Sequence, residues 1–218
     1  MKVGIDGVLL GAWTNTENAY SILDIGTGSG LISLMLAQNS KAVIDAIDID
    51  KDAVLQASQN IEQSPWSKQI KVYETSLQKY AEKSSVKYDL IVSNPPYFVN
   101  STKAPKDNRT IARHTDCLSH EELLDNALLL LKPTGRISII LPVSEGLQCV
   151  DYATNIGLKC SKKVSVYPKP GALAKRLLLE FDLFSTVCIS SEITIEGTSR
   201  HQYTPEFTNI VKDYYLKL

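Results

Sequence analysis

Apolar residues along this chain fall into short runs that alternate with segments of helical spacing. Residues 20–25 (YSILDI) form the first run and end in a glycine-rich turn, the pattern of a strand buried on both faces. Residues 31–38 follow with helical spacing, and residues 41–49 (KAVIDAIDI) read as a second strand. Residues 50–61 predict a helix with Asp50 at its N-cap. Further strands are expected at 70–75, 88–93, 136–141, 164–167 and 177–184. Helices are expected at 119–131, where Ser119 and Glu122 have capping-box spacing, and at 145–155.

This alternation is that of right-handed βαβ crossovers, so the fold class is α/β. The expected architecture is a Rossmann-like, doubly wound, seven-stranded and mostly parallel sheet. The last two strands, joined across 168–171, should form an antiparallel hairpin on one edge. With neither an internal repeat nor a linker in the text, residues 1–218 read as a single domain.

Composition adds exclusions. The chain is 44% hydrophobic and 22% charged, which sets aside disordered, collagen-like and coiled-coil readings. The apolar run 127–131 is far short of the ~20 residues of a membrane span, and no basic-then-apolar leader opens the text. A cytoplasmic protein without a membrane partner is therefore expected. Cys117, Cys149, Cys160 and Cys188 form no C-x-x-C, so buried free thiols are expected and no metal. His114, His120 and His201 show no ligand spacing, Ser144 lacks a nucleophile elbow, and Trp13 and Trp66 read as packing residues.

The net charge of −1 conceals an asymmetry. Residues 1–98 hold eight Lys/Arg against eleven Asp/Glu, whereas residues 159–176 hold six basic residues and no acid. The stretch 101–114 adds Lys103, Lys106, Arg109 and Arg113 against Asp107. An acidic half with two basic stretches implies a polyanionic partner at one face.

Two motifs carry chemistry. The turn from Asp24 through Gly26, Thr27 and Gly28 to Gly30 is G-x-G-x-G, not the G-x-G-x-x-G of dinucleotide sites. Asp24 at the strand tip is placed to hold an ammonium. Asp48 stands 22 residues after Gly26, near the ~20-residue spacing at which an acid meets a ribose diol. An amine-binding acid, a glycine turn and a ribose-binding acid describe S-adenosylmethionine better than NAD. The second motif, Asn94-Pro95-Pro96-Tyr97, directly follows the 88–93 strand. A side-chain amide oxygen beside a fixed prolyl carbonyl makes two acceptors for the two hydrogens of a planar amine. Gripping both draws the nitrogen toward tetrahedral geometry and aims its lone pair at a methyl group. Tyr97 can stack on the planar system.

These motifs resemble the class I S-adenosylmethionine-dependent methyltransferases that modify amino groups conjugated to planar systems. The opening MKVGIDGVLLGAW and the IEQSPW at 61–66 are similar to text of the bacterial tRNA(Val) (adenine(37)-N6)-methyltransferase family, and the similarity runs to Tyr214-Tyr215. The resemblance implies methyl transfer to N6 of adenine 37 in the anticodon loop of tRNA(Val). It assigns Lys2, Gly4 and Asp6 to the segment covering the methionine end of the cofactor. Asp24, Gly26, Thr27, Gly28 and Gly30 would hold the methionyl part, Asp48 the ribose, and Ile49, Ser76 and Leu77 the adenine end. Asn94 and Pro95 would grip the substrate amine, with Pro96 stiffening the turn and Tyr97 stacking. Ser76 stands where the family usually has Asp, and the basic segment that family members carry ahead of the Met1 equivalent is not in this text. Lys103, Arg109, Arg113, Lys169, Lys175 and Arg176 are expected to meet RNA phosphates. The same acceptor motif also suits a glutamine side-chain amide, so a methyltransferase acting on a release factor is an alternative. A non-catalytic RNA-binding protein of this fold is another.

Overall fold

The structure is a computed structural model that describes residues 4–96, 118–199 and 202–215. In chain order its elements are α1 (Ile5–Trp13), β1 (Ser21–Ile25), α2 (Leu31–Gln38), β2 (Val43–Asp48), α3 (Lys51–Glu62), β3 (Ile70–Glu74), α4 (Leu77–Lys83) and β4 (Tyr88–Ser93). After these come α5 (His120–Leu130), β5 (Leu131–Pro142), α6 (Val143–Asn155), β6 (Lys159–Tyr167), β7 (Arg176–Asp182), β8 (Ile189–Thr194) and α7 (Pro205–Val211).

The strands form one sheet in the order β3-β2-β1-β4-β5-β7-β6-β8. β1 to β5 are mutually parallel, while β7 runs antiparallel to both β5 and β6. Chain order reverses between β1 and β4. In open α/β sheets the crevice at such a reversal, at the carboxyl ends of the strands, is where ligands bind.

Both faces are covered, which is why the central strands read as apolar on both sides. On one face α1, α2, α3 and α7 pack Leu9, Leu10, Leu36, Ala57 and Phe207 against Ile22, Ile44 and Leu90. On the other, α5 and α6 pack Leu124, Ala127 and Ala153 against Leu23, Ile91 and Ile139. Start signals act as the sequence implies. Asp50 accepts from the N–H groups of Asp52 and Ala53, and Ser119 with Glu122 closes a capping box.

The sheet departs from the seven-stranded expectation in two ways. Strand β8 adds an eighth member, pairing parallel to β6. Only Ile193 of its apolar residues reaches the core, while Ile189 is exposed, so an edge strand of this kind shows no alternation to read. Consequently the β6–β7 hairpin is internal, with β7 inserted beside β5. The helices α1, α4 and α7 are also not among the expected elements, although Ser76 caps α4 and Thr204, followed by Pro205, caps α7. α1 has two glycines, each costing about 1 kcal/mol in a helix relative to alanine. Gly11 is there for close approach: a Cβ on it would lie 2.8 Å from Met35 Sδ on α2.

Of the cysteines, Cys149 is buried and its thiol is pushed up to about 12 by desolvation. Cys188 is exposed, contrary to expectation, and its sulfur lies 3.2 Å from that of half-buried Cys160. Cys117 lies outside the described residues. Trp13 and Trp66 are partly buried against the core.

Candidate active site

Register brings the two motifs together. Ile25 on β1 pairs with Ser93 on β4, and the hydroxyl of buried Ser93 donates to the Ile25 carbonyl at 2.9 Å. Gly26 and Asn94, each the next residue, therefore leave adjacent strands about 4.8 Å apart at the carboxyl edge. On the other side Ile25 pairs with Ile47 of β2. The amides of Gly26 and Thr27 both donate to the Ile47 carbonyl, at 2.9 and 3.0 Å, folding the turn back toward β2.

Gly26, Gly28 and Gly30 have φ of 70°, 59° and 80°, a left-handed backbone that L side chains rarely adopt. This chain of glycines lets the turn enter α2 without a side-chain cap, and a Cβ at exposed Gly26 would meet nothing within 4 Å.

Asp24 is completely buried beneath this turn. Its Oδ2 accepts the hydroxyls of Thr27 at 2.7 Å and Ser33 at 2.6 Å, whereas Oδ1 has no hydrogen-bond partner. Desolvation raises its carboxyl above the usual carboxylate range, and the Ser33 and Thr27 hydroxyls only partly oppose this. A buried acceptor left unmade costs about 1–3 kcal/mol, so an ammonium delivered to Oδ1 would both satisfy and ionise this group. Ser33 was not anticipated as part of the site, although a serine amid the apolar text LISLMLAQ is a readable signal.

Asp48 ends β2 half-buried, its Oδ2 accepting from Gly28 N–H at 2.9 Å and its Oδ1 from Asp50 N–H at 2.9 Å. Ile49, beside it, exposes 57% of its surface at the same edge. The partnerless Asp24 oxygen, exposed Gly26, edge carboxylate and apolar Ile49 suit the amine, chain, ribose and base of S-adenosylmethionine in sequence along β1 and β2.

Asn94 is half-buried, Pro95 buried and Pro96 exposed. α1 lies against them: a Cβ at Gly7 would sit 3.4 Å from Leu31 Cδ2 and 3.8 Å from Asn94 Nδ2. Gly4 is the exposed N-cap of α1. Asp6, two residues on, receives the Arg176 Nε–H of β7 at 2.8 Å. Residues expected to meet the cofactor and the RNA respectively are thus paired with each other.

At the far side of β2, Ser76 is the N-cap of α4, its hydroxyl oxygen accepting from Lys79 N–H at 3.3 Å. Leu77 is 3% exposed and belongs to the core beneath it. Lys169 and Lys175 are exposed in the β6–β7 connection, which lies at the carboxyl edge because Arg176 pairs with Pro142 at the end of β5. Lys2, Tyr97, Lys103, Arg109 and Arg113 lie outside the described residues. An open hollow of about 450 Å³ lined by residues such as Asn15, Tyr20 and Lys41 is at the opposite, amino edge, away from this chemistry. Among the described residues no group of three or more His, Cys, Asp and Glu side chains converges, and no helix is long and apolar enough to cross a membrane.

The chain matches the family model described as methyltransferase small domain over residues 7–148. It is 52% identical, over its full length and 92% of the relative's, to a tRNA1(Val) (adenine(37)-N6)-methyltransferase of Parabacteroides distasonis. It is 47% identical, over its full length and 92% of the relative's, to one of the same name in Trichodesmium erythraeum. Among solved structures it resembles a predicted O-methyltransferase of Agrobacterium tumefaciens with a TM-score of 0.75, covering 95% of this chain and 96% of that one at 18% identity, a likeness of fold alone.

Proposed function

Because the chain belongs to the family of tRNA1(Val) (adenine(37)-N6)-methyltransferases, we propose that it methylates N6 of adenine 37 in the anticodon loop of tRNA(Val), acting in the cytoplasm as one methyltransferase unit. The observation that carries this reading is the Ile25–Ser93 register, which sets the glycine turn beside Asn94. S-adenosylmethionine, when bound, supplies an electrophilic methyl group on sulfonium.

The protein's part is binding, orientation and exclusion of water. Asp24 Oδ1 takes the cofactor ammonium and Asp48 the ribose hydroxyls, with Ile49 against the base. Ser76 is a helix cap whose hydroxyl oxygen already accepts from Lys79 N–H of α4, so its contact with the cofactor is the weakest of the set. Asn94 Oδ1 and the Pro95 carbonyl accept the two N6 hydrogens of adenine. That localises the nitrogen lone pair and holds it in line for attack, an effect of orientation that needs no strong base. The methylated nitrogen is briefly cationic and sheds its proton to solvent. Tyr97 stacks on the adenine, and Arg109 and Arg113 bind phosphates together with Lys169 and Lys175. An anticodon-loop base is unpaired, so drawing it out costs less than opening a duplex.

The test is incubation with methyl-labelled cofactor and three separate pools: total tRNA, a release factor and duplex DNA. Label in tRNA, recovered as N6-methyladenosine next to the valine anticodon, is the expected result. Label in the release factor alone would replace the reading with glutamine methylation. No transfer, with no S-adenosylhomocysteine binding by calorimetry, would leave a non-catalytic protein.

A further inference from the structure

Leu173 exposes 82% of its surface, more than any other large apolar side chain among the described residues. It sits in the connection from β6 to β7, between exposed Lys169 and Lys175, in a stretch (PKPGALAK) without an acid. Single exposed leucines are ordinary; the placement of this one is not.

The connection is held rigidly. Lys175 N–H donates to Val166 O at 2.8 Å and Ala172 N–H to Lys169 O at 3.2 Å, with Gly171 at φ 74° making the turn. Pro168 and Pro170 fix their own φ angles, and Glu196 N–H donates to the Pro168 carbonyl at 3.0 Å, bracing the base of the turn from outside. Its position is equally fixed. β7 is the second strand from β4 and β6 the third, so the connection leaves the carboxyl edge about 10–15 Å across the sheet from Asn94. The Arg176–Asp6 ion pair joins the foot of the connection to α1, and Gly7 of α1 abuts Asn94. A stiff, basic, apolar-tipped projection is thereby registered to the amine-gripping loop.

We propose that residues 168–175 form an RNA-docking prong in which Leu173 packs against the face of a loop base neighbouring the target adenine, while Lys169 and Lys175 take the flanking phosphates. This rests on the tRNA reading above. Withdrawing the adenine from its stack bares the faces of adjacent bases, and an apolar side chain placed there covers a surface that water solvates poorly. Apolar wedges are used this way where nucleic-acid stacks are opened. Because Leu173 touches little of its own chain, its replacement leaves the fold intact.

The experiment compares the parent protein with Leu173→Ala and Leu173→Met. The readouts are kcat and KM on tRNA, on a short single-stranded oligonucleotide with one adenine, and S-adenosylhomocysteine affinity. Leu173→Ala is expected to lower kcat/KM on tRNA about tenfold, mostly through KM, the loss expected for one leucine contact. Leu173→Met should retain most activity, and the oligonucleotide rate and cofactor affinity should not change. Leu173→Ala within twofold of the parent on tRNA overturns the prong and leaves the tRNA reading standing. An equal loss on the oligonucleotide or in cofactor affinity also overturns it, since the defect is then general. A parent that methylates no tRNA removes the reading, and the prong with it.

Discussion

The two halves of the sheet's carboxyl edge are built differently. The half over β1 and β2 is acidic and local: Asp24, Thr27 and Ser33 bond within nine residues of one another, and Asp48 reaches Gly28 across a neighbouring strand. The half over β4, β5 and β7 is assembled from residues far apart in the chain, with Asn94 against Gly7 and Arg176 on Asp6. On the proposed function the first half holds a small molecule whose groups are always the same, for which a single turn with one buried acid suffices. On the same reading the second half accepts a large, negatively charged, unpaired loop, which asks for basic surface spread around one chemical contact.

If that division holds, damage on one side should spare the other. The largest effect is expected from Asn94→Ala, which removes one of the two amine acceptors. kcat should fall about 10²–10³-fold, the usual consequence of deleting one preorganised transition-state contact, with S-adenosylhomocysteine affinity within twofold. Activity within about tenfold of the parent in single-turnover assays would remove Asn94 from the reaction.

Asp24→Asn should do the reverse. Loss of a desolvated ammonium–carboxylate contact is expected to weaken S-adenosylhomocysteine binding by about 2–3 kcal/mol, roughly 30- to 150-fold by calorimetry. The free protein should not be destabilised at neutral pH. Burial raises the folded-state pKa of Asp24, so the folded form holds its proton more tightly than the unfolded chain. Stability from this group is therefore present at low pH and lost as pH rises from the unfolded value of about 3.9 through the raised folded value. Urea midpoints across pH should show that loss in the parent and its absence in Asp24→Asn.

Asp89 provides a control at the opposite, amino edge. Desolvation works upward on its carboxyl, but hydrogen bonds from Lys132, the Tyr20 and Ser21 amides and the Ser21 hydroxyl outweigh it and hold the pKa below the usual value. Its contribution is complete above the unfolded pKa of about 3.9 and disappears as pH falls through the lower folded value. Asp89→Asn should cost about 1–2 kcal/mol of stability at pH 7, little at pH 2, and leave both cofactor affinity and KM for tRNA unchanged.

The smallest effect should come from Asp6→Asn. Its ion pair with Arg176 is partly screened by solvent, and such pairs contribute about 0–1 kcal/mol. A rise of no more than about fivefold in KM for tRNA is expected, again with cofactor affinity preserved. A larger loss of cofactor affinity than of tRNA affinity would mean that α1 serves the first half of the edge and not the junction between the two.

Much of the half over β1 and β2 was legible because its geometry is dictated by consecutive residues. The left-handed turn needs glycine, and Asp24 and Asp48 end strands whose apolar text marks them. The Asn94-Pro95 pair was equally clear from its position after β4. Less legible were residues whose importance comes from what they are pressed against. Gly11 looks like a helix-weakening position until Met35 of α2 is seen pressed against it. Ser76 and Leu77, expected at the cofactor's adenine end, also serve the fold, Ser76 by capping α4 and Leu77 by packing into the core. Arg176, read from charge alone as a phosphate ligand, has Asp6 within hydrogen-bonding distance. The eighth strand has four exposed residues in six and pairs only because β6 offers it an edge.

By itself the sequence determined the α/β alternation, the glycine turn with its two acids and the Asn94-Pro95-Pro96-Tyr97 motif after β4, because period, backbone freedom and the chemistry of single side chains are local properties. The tertiary structure alone decided that β7 inserts between β5 and β6, and that α1 bridges the loop at Asn94 to the foot of the basic hairpin. Strand order and side-chain pairing depend on contacts between residues as far apart as Asp6 and Arg176, 170 positions, and no spacing within the text encodes which distant partner wins.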